Sequence, residues 1–281
     1  MKTAQIRWLA PKDLSLVMRW AQEAGWLMDQ SELEQIQRRF FYLCLGAYEG
    51  PFLIGAITGY LHEKSAWLGN FIVDPARRKE GIGARLFDQA IETIEAERPS
   101  VWLHAAASMV PFYESRGFKS VGRVGRYELR HKPANFSLNA AQVRELERSE
   151  PSLLLKLDRA AFSEDRTTLL MGDLKSKSAL LLESDLAALY TRILSGKVFL
   201  GPWLVRTAAY MDAERLLRAA IYQRGLKPLC VDVPIDNSDA VRLLKQYGFE
   251  PIGQTHRMVR GESPQLHIEN IYGFATSGSH G

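Results

Sequence analysis

Between Trp67 and Leu86 an apolar run, Trp67-Leu68-Gly69-Asn70-Phe71-Ile72-Val73, meets Asp74-Pro75. Three basic residues follow (Arg77, Arg78, Lys79), then Glu80, then Gly81-Ile82-Gly83-Ala84 at the head of an amphipathic stretch. A strand that passes through a basic turn into a helix start suits an anion. The first helical turn leaves N–H groups without partners and carries partial positive charge. Glycine lets the backbone approach a ligand closely and take conformations other residues resist. A pyrophosphate or similar anion is the ligand these residue types fit. The pattern is not the Walker loop, which needs Gly-Lys-Ser/Thr, nor the dinucleotide fingerprint, whose third glycine would fall at Leu86. About thirty residues on lies Phe112-Tyr113-Glu114-Ser115-Arg116-Gly117-Phe118. A phenol with a pKa of about 10 stays protonated at neutral pH and can donate to a basic leaving group. The alternative for Tyr113 is packing between a helix and a sheet.

These residues need a scaffold, and the hydrophobic pattern supplies one. Gln5–Leu9 alternates as a short strand, Pro11-Lys12-Asp13 opens a helix, and Ser31–Phe40 reads as a second. Tyr42–Tyr48, Phe52–Leu61 and Ala66–Val73 are separated by turn-like breaks, which predicts an antiparallel meander. Gly69 and Asn70 are poor strand residues and mark a bulge. Ile82, Leu86, Ala90 and Ile94 share one face of a helix from Gly81 to about Glu97. A strand over Val101–Ala105, a helix around Val110–Arg116 and strands from Phe118 to Leu129 follow, then a polar linker, His131–Asn139. In the second half, Ala140–Leu174 reads as mostly helical. Ser178–Glu183, Leu186–Leu194 and Lys197–Val205 read as strands, and Met211–Gln223 as a helix. Leu229–Val233 is a strand, Ala240–Tyr247 a helix, and Phe249–Val259 and Leu266–Tyr272 are closing strands.

The halves repeat one order of elements. Gly117 and Gly248 sit 131 residues apart in matching Arg-Gly-Phe and Tyr-Gly-Phe contexts, and Phe71-Ile72-Val73 and Trp203-Leu204-Val205 are 132 apart. That predicts an internal duplication. The copy has lost the anion loop: Thr207 to Arg215 stand where Pro75 to Gly83 do, without either glycine or the three basic residues. Asp212 is expected to cap its own helix. Leu244 takes the place of Tyr113.

Arg78-x-x-Gly81-x-Gly83 after a strand ending Val-Asp-Pro, with the Tyr113 segment at this distance, resembles the two signatures of the GNAT N-acetyltransferase superfamily. The second half resembles the C-terminal module of two-module GNAT proteins of the YitH type. It does so at Ala161-Phe162-Ser163-Glu164-Asp165-Arg166 and at Pro234-Ile235-Asp236-Asn237-Ser238-Asp239-Ala240. The resemblance implies an α/β (α+β) fold of two GNAT-like modules, each a mixed, mostly antiparallel twisted sheet flanked by helices. Residues 1–132 would be the catalytic module, 133–275 a degenerate one, and 276–281 a flexible tail. It implies acetyl-coenzyme A as cofactor, with the strand end Phe71, Ile72 and Val73 pairing with the pantetheine arm. Backbone N–H groups of Arg78, Lys79, Glu80, Gly81, Ile82, Gly83 and Ala84 would hold the pyrophosphate. Tyr113 would be the general acid, and the acceptor a primary amine of a small molecule or amino acid. His104, Glu63 and Asp74 are open candidates for the base. Many family members carry Asn seven residues before the Tyr; this chain has Ala106 there, with Ser108 as a substitute, whereas Asn237 matches in the second half. A coenzyme sensor without turnover, or a peptide-directed acetyltransferase, are the alternatives.

Composition bounds the rest. The 36 Lys+Arg against 32 Asp+Glu leave a net charge of +4, too balanced for a nucleic-acid binder driven by bulk charge. No apolar run nears the roughly 20 residues of a membrane span, and MKTAQIRWLAPKD lacks the apolar core of a signal peptide. Cys44 and Cys230 match no metal or redox spacing. A cytoplasmic location with no nucleic-acid or membrane partner is expected, and a homodimer remains open.

Overall fold

The computed structural model describes residues 4–133, 144–146, 151–168, 170, 179–183, 185–262 and 265–275. These pack as two compact units, one from the described residues of 4–104 and 259–262, the other from those of 105–258 and 265–275.

In the first unit the strands β1 (Gln5–Trp8), β2 (Leu45–Glu49), β3 (Phe52–Leu61) and β4 (Ser65–Val73) lie side by side and antiparallel. β5 (Ser100–Ala106) then pairs with β4 in parallel. The meander expected from the sequence is present, although β2 starts at Leu45 because Phe41–Leu43 wind into a 3₁₀ turn. Helix α1 (Leu14–Glu23) buries Leu14, Val17, Met18 and Ala21. Helix α2 (Gln30–Arg39) is capped by Asp29, whose carboxylate accepts from the N–H groups of Ser31 and Glu32. Helix α3 (Ile82–Glu95) buries Ile82, Leu86, Ala90 and Ile94, the expected stripe, together with Phe87 and Ile91. It can seat closely because β3 offers a glycine: a Cβ at Gly59 would stand 3.0 Å from Ile94 Cδ1 and 3.2 Å from the Leu43 carbonyl oxygen. Cutting Leu86 back to Ala in such a site typically costs about 2–5 kcal/mol.

The second unit holds α4 (Val110–Glu114), β6 (Lys119–Leu129), β7 (Arg144–Leu146), α5 (Ser152–Phe162), β8 (Ala179–Glu183), β9 (Ala187–Leu194) and β10 (Lys197–Val205). After these come α6 (Tyr210–Gln223), β11 (Leu229–Pro234), α7 (Ser238–Gln246), β12 (Glu250–Arg260) and β13 (Ile271–Gly273). Its strands run in the order β12-β6-β11-β10-β9-β8-β7, with β13 added to β10. β6, from the first half of the sequence, thus lies between two strands of the second half, and its register with β11 runs from Leu129↔Leu229 to Val124↔Pro234. The compact units therefore do not follow the repeat in the sequence. Both faces of this sheet are covered. Leu189, Trp203 and Val205 join the α6 and α7 side with Leu216, Leu217 and Leu244, whereas Ala188, Tyr190 and Leu204 join the α5 side with Leu154 and Leu157. That is the period-two alternation of a strand buried on both faces.

Two sequence expectations need correction. Arg144–Leu146 is strand, paired with β8 over Arg144↔Leu182 to Leu146↔Leu180, although Arg-Glu-Leu favours helix; sheet pairing overrides the propensity. Within the expected closing strand Leu266–Tyr272, Ile268–Asn270 forms a 3₁₀ turn and strand begins only at Ile271. Most of the expected linker and the whole tail lie outside the described residues. Cys44 and Cys230 are buried and unbridged. Among the described residues no helix is long and apolar enough to cross a membrane.

The second unit's sheet also carries charge. Arg126 grips Asp232 through two bonds of 2.7 Å. Buried Glu128 on β6 accepts from Lys197 and from Arg130. Burial alone would push the Glu128 carboxyl up, but the two cations outweigh it and hold the carboxyl below its usual value. Its stabilisation is therefore present above the unfolded carboxylate's value of about 4.3 and is lost as pH falls through the lower folded value. Glu128→Gln is expected to cost about 1–2 kcal/mol in urea melts at pH 7. The gap to the parent should close as the pH is lowered through that window; a gap that stays constant down to pH 2 would contradict this account.

Candidate functional site: a forked strand pair and a glycine-headed helix

In the first unit β4 and β5 pair only over Ser65↔Ser100, Ala66↔Val101 and Trp67↔Trp102, near their starts. β4 then continues to Val73 against β3 alone. Among the described residues no strand pairs with the far side of Leu68 to Val73. The strands fork, and backbone groups on that edge of β4 face the opening.

The bulge expected at Gly69-Asn70 is present. The β3–β4 register steps from Ala56↔Ile72 to Thr58↔Gly69, so Asn70 and Phe71 together oppose Ile57. Asn70 takes a left-handed conformation, φ 51°, which Asn tolerates better than most residues. It is 2% exposed. Its Nδ2 donates to Thr58 Oγ1 at 2.9 Å, and Thr58 Oγ1 donates to the Gly69 carbonyl at 3.2 Å. Asn70 Oδ1 is buried with no hydrogen-bond partner among the described residues. On the same face of β3 and β4, Tyr60 stacks on Trp67 (6.4 Å between ring centres), and the His104 ring of β5 meets Trp67 edge-on at 4.9 Å.

β4 leads into the basic turn. Phe71 and Val73 are half-buried and Ile72 is buried. Asp74 caps the short turn Pro75–Arg77 by accepting from Ala76 N–H. The three cations are not equivalent. Arg77 is committed to Glu80 at 3.0 Å and Glu49 at 2.8 Å, and Arg78 Nε donates to the Val73 carbonyl at 3.2 Å. Lys79 is exposed in a left-handed conformation, φ 67°. Gly81 is the N-cap of α3 at φ 77° and has no side chain to cap with. The first helical bond is Arg85 N–H to the Gly81 carbonyl, 3.2 Å. The N–H groups of Ile82, Gly83 and Ala84 therefore head the helix without a capping side chain. At Gly83 a Cβ would stand 3.3 Å from both the Phe71 ring and Val73 Cγ2, so the helix head lies close against the end of β4. A small-residue cradle at a helix N-terminus beside an unpaired strand edge fits a pyrophosphate with an extended amide-bearing arm.

Tyr113 lies on α4 in the second unit, 7% exposed, with ring contacts to Phe112 and Phe118 at 5.3 and 6.0 Å. Burial pushes its phenol up from the ordinary value. Phe71 to Ala84 belong to the first unit. Ala106 ends β5 and Ser108 lies in the turn before α4, and both are exposed. Of the possible bases, His104 lies on β5 beside the fork, Glu63 is in the β3–β4 turn, and Asp74 is occupied as a cap.

The counterpart helix α6 differs from expectation. Its N-cap is Ala209, with no side-chain cap, and Asp212 does not cap the helix; it faces Arg215 at 3.4 Å. The helix starts at Tyr210, so Asp212 is its third residue and does not hold the N-cap position.

The description "acetyltransferase (GNAT) domain" matches the chain twice, at residues 18–128 and 154–273. The chain belongs to the GNAT acetyltransferase family. It carries two GNAT domains in tandem. It is 24% identical over 260 residues to the uncharacterized N-acetyltransferase YitH of Bacillus subtilis, covering 86% of each chain. In fold it is similar to a putative acetyltransferase from Pyrococcus horikoshii, with a TM-score of 0.84, 22% identity and coverage of 100% and 97% of the two chains. It is also similar to a tandem GNAT protein from the clavulanic acid biosynthesis pathway, at a TM-score of 0.63, 13% identity and coverage of 93% and 99%.

The Thr58–Asn70 pair and the Tyr60-Trp67-His104 row of this GNAT chain were not legible as a group along the sequence. Side chains on separate strands become neighbours only through register, and the bulge turns Asn70 toward Thr58. The left-handed tolerance of Asn was the one available signal. Gly83→Val should push the head of α3 off β4 and lower stability by about 1–3 kcal/mol, measured by thermal unfolding. An unchanged midpoint would mean that the Phe71 ring swings aside without cost.

Proposed function

We propose that the chain transfers the acetyl group of acetyl-coenzyme A to a primary amine of a small molecule or amino acid, by direct attack of the amine on the thioester. The observation that carries this reading is the fork: β4 parts from β5 and runs, with one edge unpaired, into the uncapped glycine head of α3. Phe71, Ile72 and Val73 would pair with the arm. Backbone N–H groups from Arg78 to Ala84 would hold the diphosphate, with Lys79 adding charge and Arg77 bracing the turn through Glu49 and Glu80. A backbone N–H near the bulge would polarise the thioester carbonyl; fixed donors of this kind act where charge develops.

Transfer forms an N–C bond and breaks the C–S bond. The amine loses one proton and the departing thiolate gains one. Tyr113 supplies the thiolate proton. Its buried phenol stays protonated beyond the ordinary phenol range, so it enters each turnover as an acid and is reprotonated afterwards from solvent.

Thiol release with a panel of amines tests the reading. Tyr113→Phe is expected to lower kcat by about 10²–10⁴ with coenzyme affinity kept, and parental turnover in that variant would remove the phenol from the mechanism. Gly81→Val is expected to weaken coenzyme binding by roughly tenfold or more, because φ of 77° opposes a β-branched residue. In the parent, kcat should not fall as pH passes about 10; a decline centred there would assign the acid to an ordinary exposed phenol.

A further inference from the structure

The second module contains a fork like that of the first. β10 and β11 pair in parallel only over Val198↔Leu229, Phe199↔Cys230 and Leu200↔Val231. The other edge of β10 is taken by β9 as far as Val205. Beyond Leu200 the edge facing β11 is not empty. β13 lies against it, antiparallel, with Trp203↔Gly273 and Leu204↔Ile271 in register. The inserted segment is bonded to the other prong as well, since Phe274 N–H donates to the Asp232 carbonyl of β11 at 2.8 Å.

We infer that the fork of the second module is a binding groove for extended main chain, and that its ligand is this chain's own segment Ile268–Ala275, seated where the first module leaves room for a coenzyme arm. Three observations carry this. The segment is bonded to both prongs, as an arm in a fork must be. It is sealed in: Ile271, Tyr272, Phe274 and Ala275 are buried, a Cβ at Gly201 would fall 1.9 Å from the Phe274 carbonyl oxygen, and one at Gly273 would fall 3.0 Å from that of Leu200. Lastly, Asn237 clamps it. The side-chain oxygen of Asn237 caps α7 by accepting from Ala240 N–H at 3.0 Å, while its Nδ2 donates toward the carbonyls of Ile268, Glu269 and Ile271 at 3.1, 3.3 and 3.0 Å. One buried carboxamide thus ties the helix start to the segment.

The consequence is that the second module keeps its prongs apart without a bound coenzyme and has no room for one. The loss of the glycine loop and the filling of the fork act on different parts of the same would-be ligand, one at the phosphates and one at the arm. This inference does not depend on the acceptor or on the role of Tyr113.

Asn237→Asp separates the two jobs of that side chain. Asp caps a helix as well as Asn but has no N–H to donate, and its charge faces the segment's carbonyl oxygens. Hydrogen-exchange mass spectrometry on the full chain is expected to show Ile271–Ala275 protected on the timescale of β10 and β11. In Asn237→Asp that protection should fall by roughly tenfold or more, with α7 unchanged. Exchange of the parental segment at the rate of unstructured chain would overturn the inference, as would equal protection in the variant. Calorimetry on the parent gives a check that needs no variant: a ratio of two coenzyme A molecules per chain would mean that the second fork accepts the arm.

Discussion

The divergence of two parallel strands after three residue pairs is the constraint on which the rest depends. β4 and β5 begin as an ordinary ladder and part beyond Trp67↔Trp102. Past that point backbone groups of alternate β4 residues point to an edge that no strand among the described residues covers, and buried backbone groups are rarely left without partners. The bulge at Asn70 makes the parting durable. It adds a residue to β4 relative to β3 and increases the local twist. The buried Thr58–Asn70 bond holds the left-handed residue in place. A strand edge that water or a ligand must complete is a requirement of this backbone, whichever side chains line it.

The basic turn shows how few of the charges counted along the sequence are available to a ligand. Arg77 is engaged on two carboxylates and Arg78 on the carbonyl that ends β4. These contacts hold the turn, and the helix N–H groups are left as its fixed donors. Dipoles held by a scaffold do not have to reorganise on binding, unlike a flexible exposed cation. Glycine at the N-cap serves this directly, since a Ser or Asp there would accept from the first-turn N–H groups itself.

Much of the fold was legible because it rests on local signals. The stripe Ile82, Leu86, Ala90 and Ile94 gives α3, and the breaks at Gly50-Pro51 and His62–Ser65 give the meander. Gly69-Asn70 gives the bulge. What stayed hidden depends on partners far along the chain. Arg144–Leu146 becomes strand only because β8 is there to pair with it. The position of β6 between β11 and β12 cannot be read from either half alone. The Asp212 cap failed because the helix begins at Tyr210, which leaves Asp212 inside its first turn and Ala209 at the N-cap. Within the site, residue types and spacing marked the loop, but the commitment of Arg77 to Glu49, 28 residues away, needed the register of β2.

The two forks pose one backbone problem. A parted strand pair exposes unsatisfied backbone whether or not a ligand is present, so a copy that loses its ligand retains the problem the ligand solved. Refilling the gap with chain already at hand resolves it: β13 pairs with β10, the adjoining Phe274 N–H bonds the Asp232 carbonyl of β11, and Ile271 and Phe274 are buried in the same step. On the inference drawn above, a filled fork needs no phosphate anchor, and the head of α6 carries neither the glycines nor the three basic residues of the first loop. Loss of the loop and insertion of the segment are on this account one change viewed at two ends. The retained Asn237 fits the same logic, because a carboxamide suited to an amide-bearing arm is equally suited to the amides of a peptide.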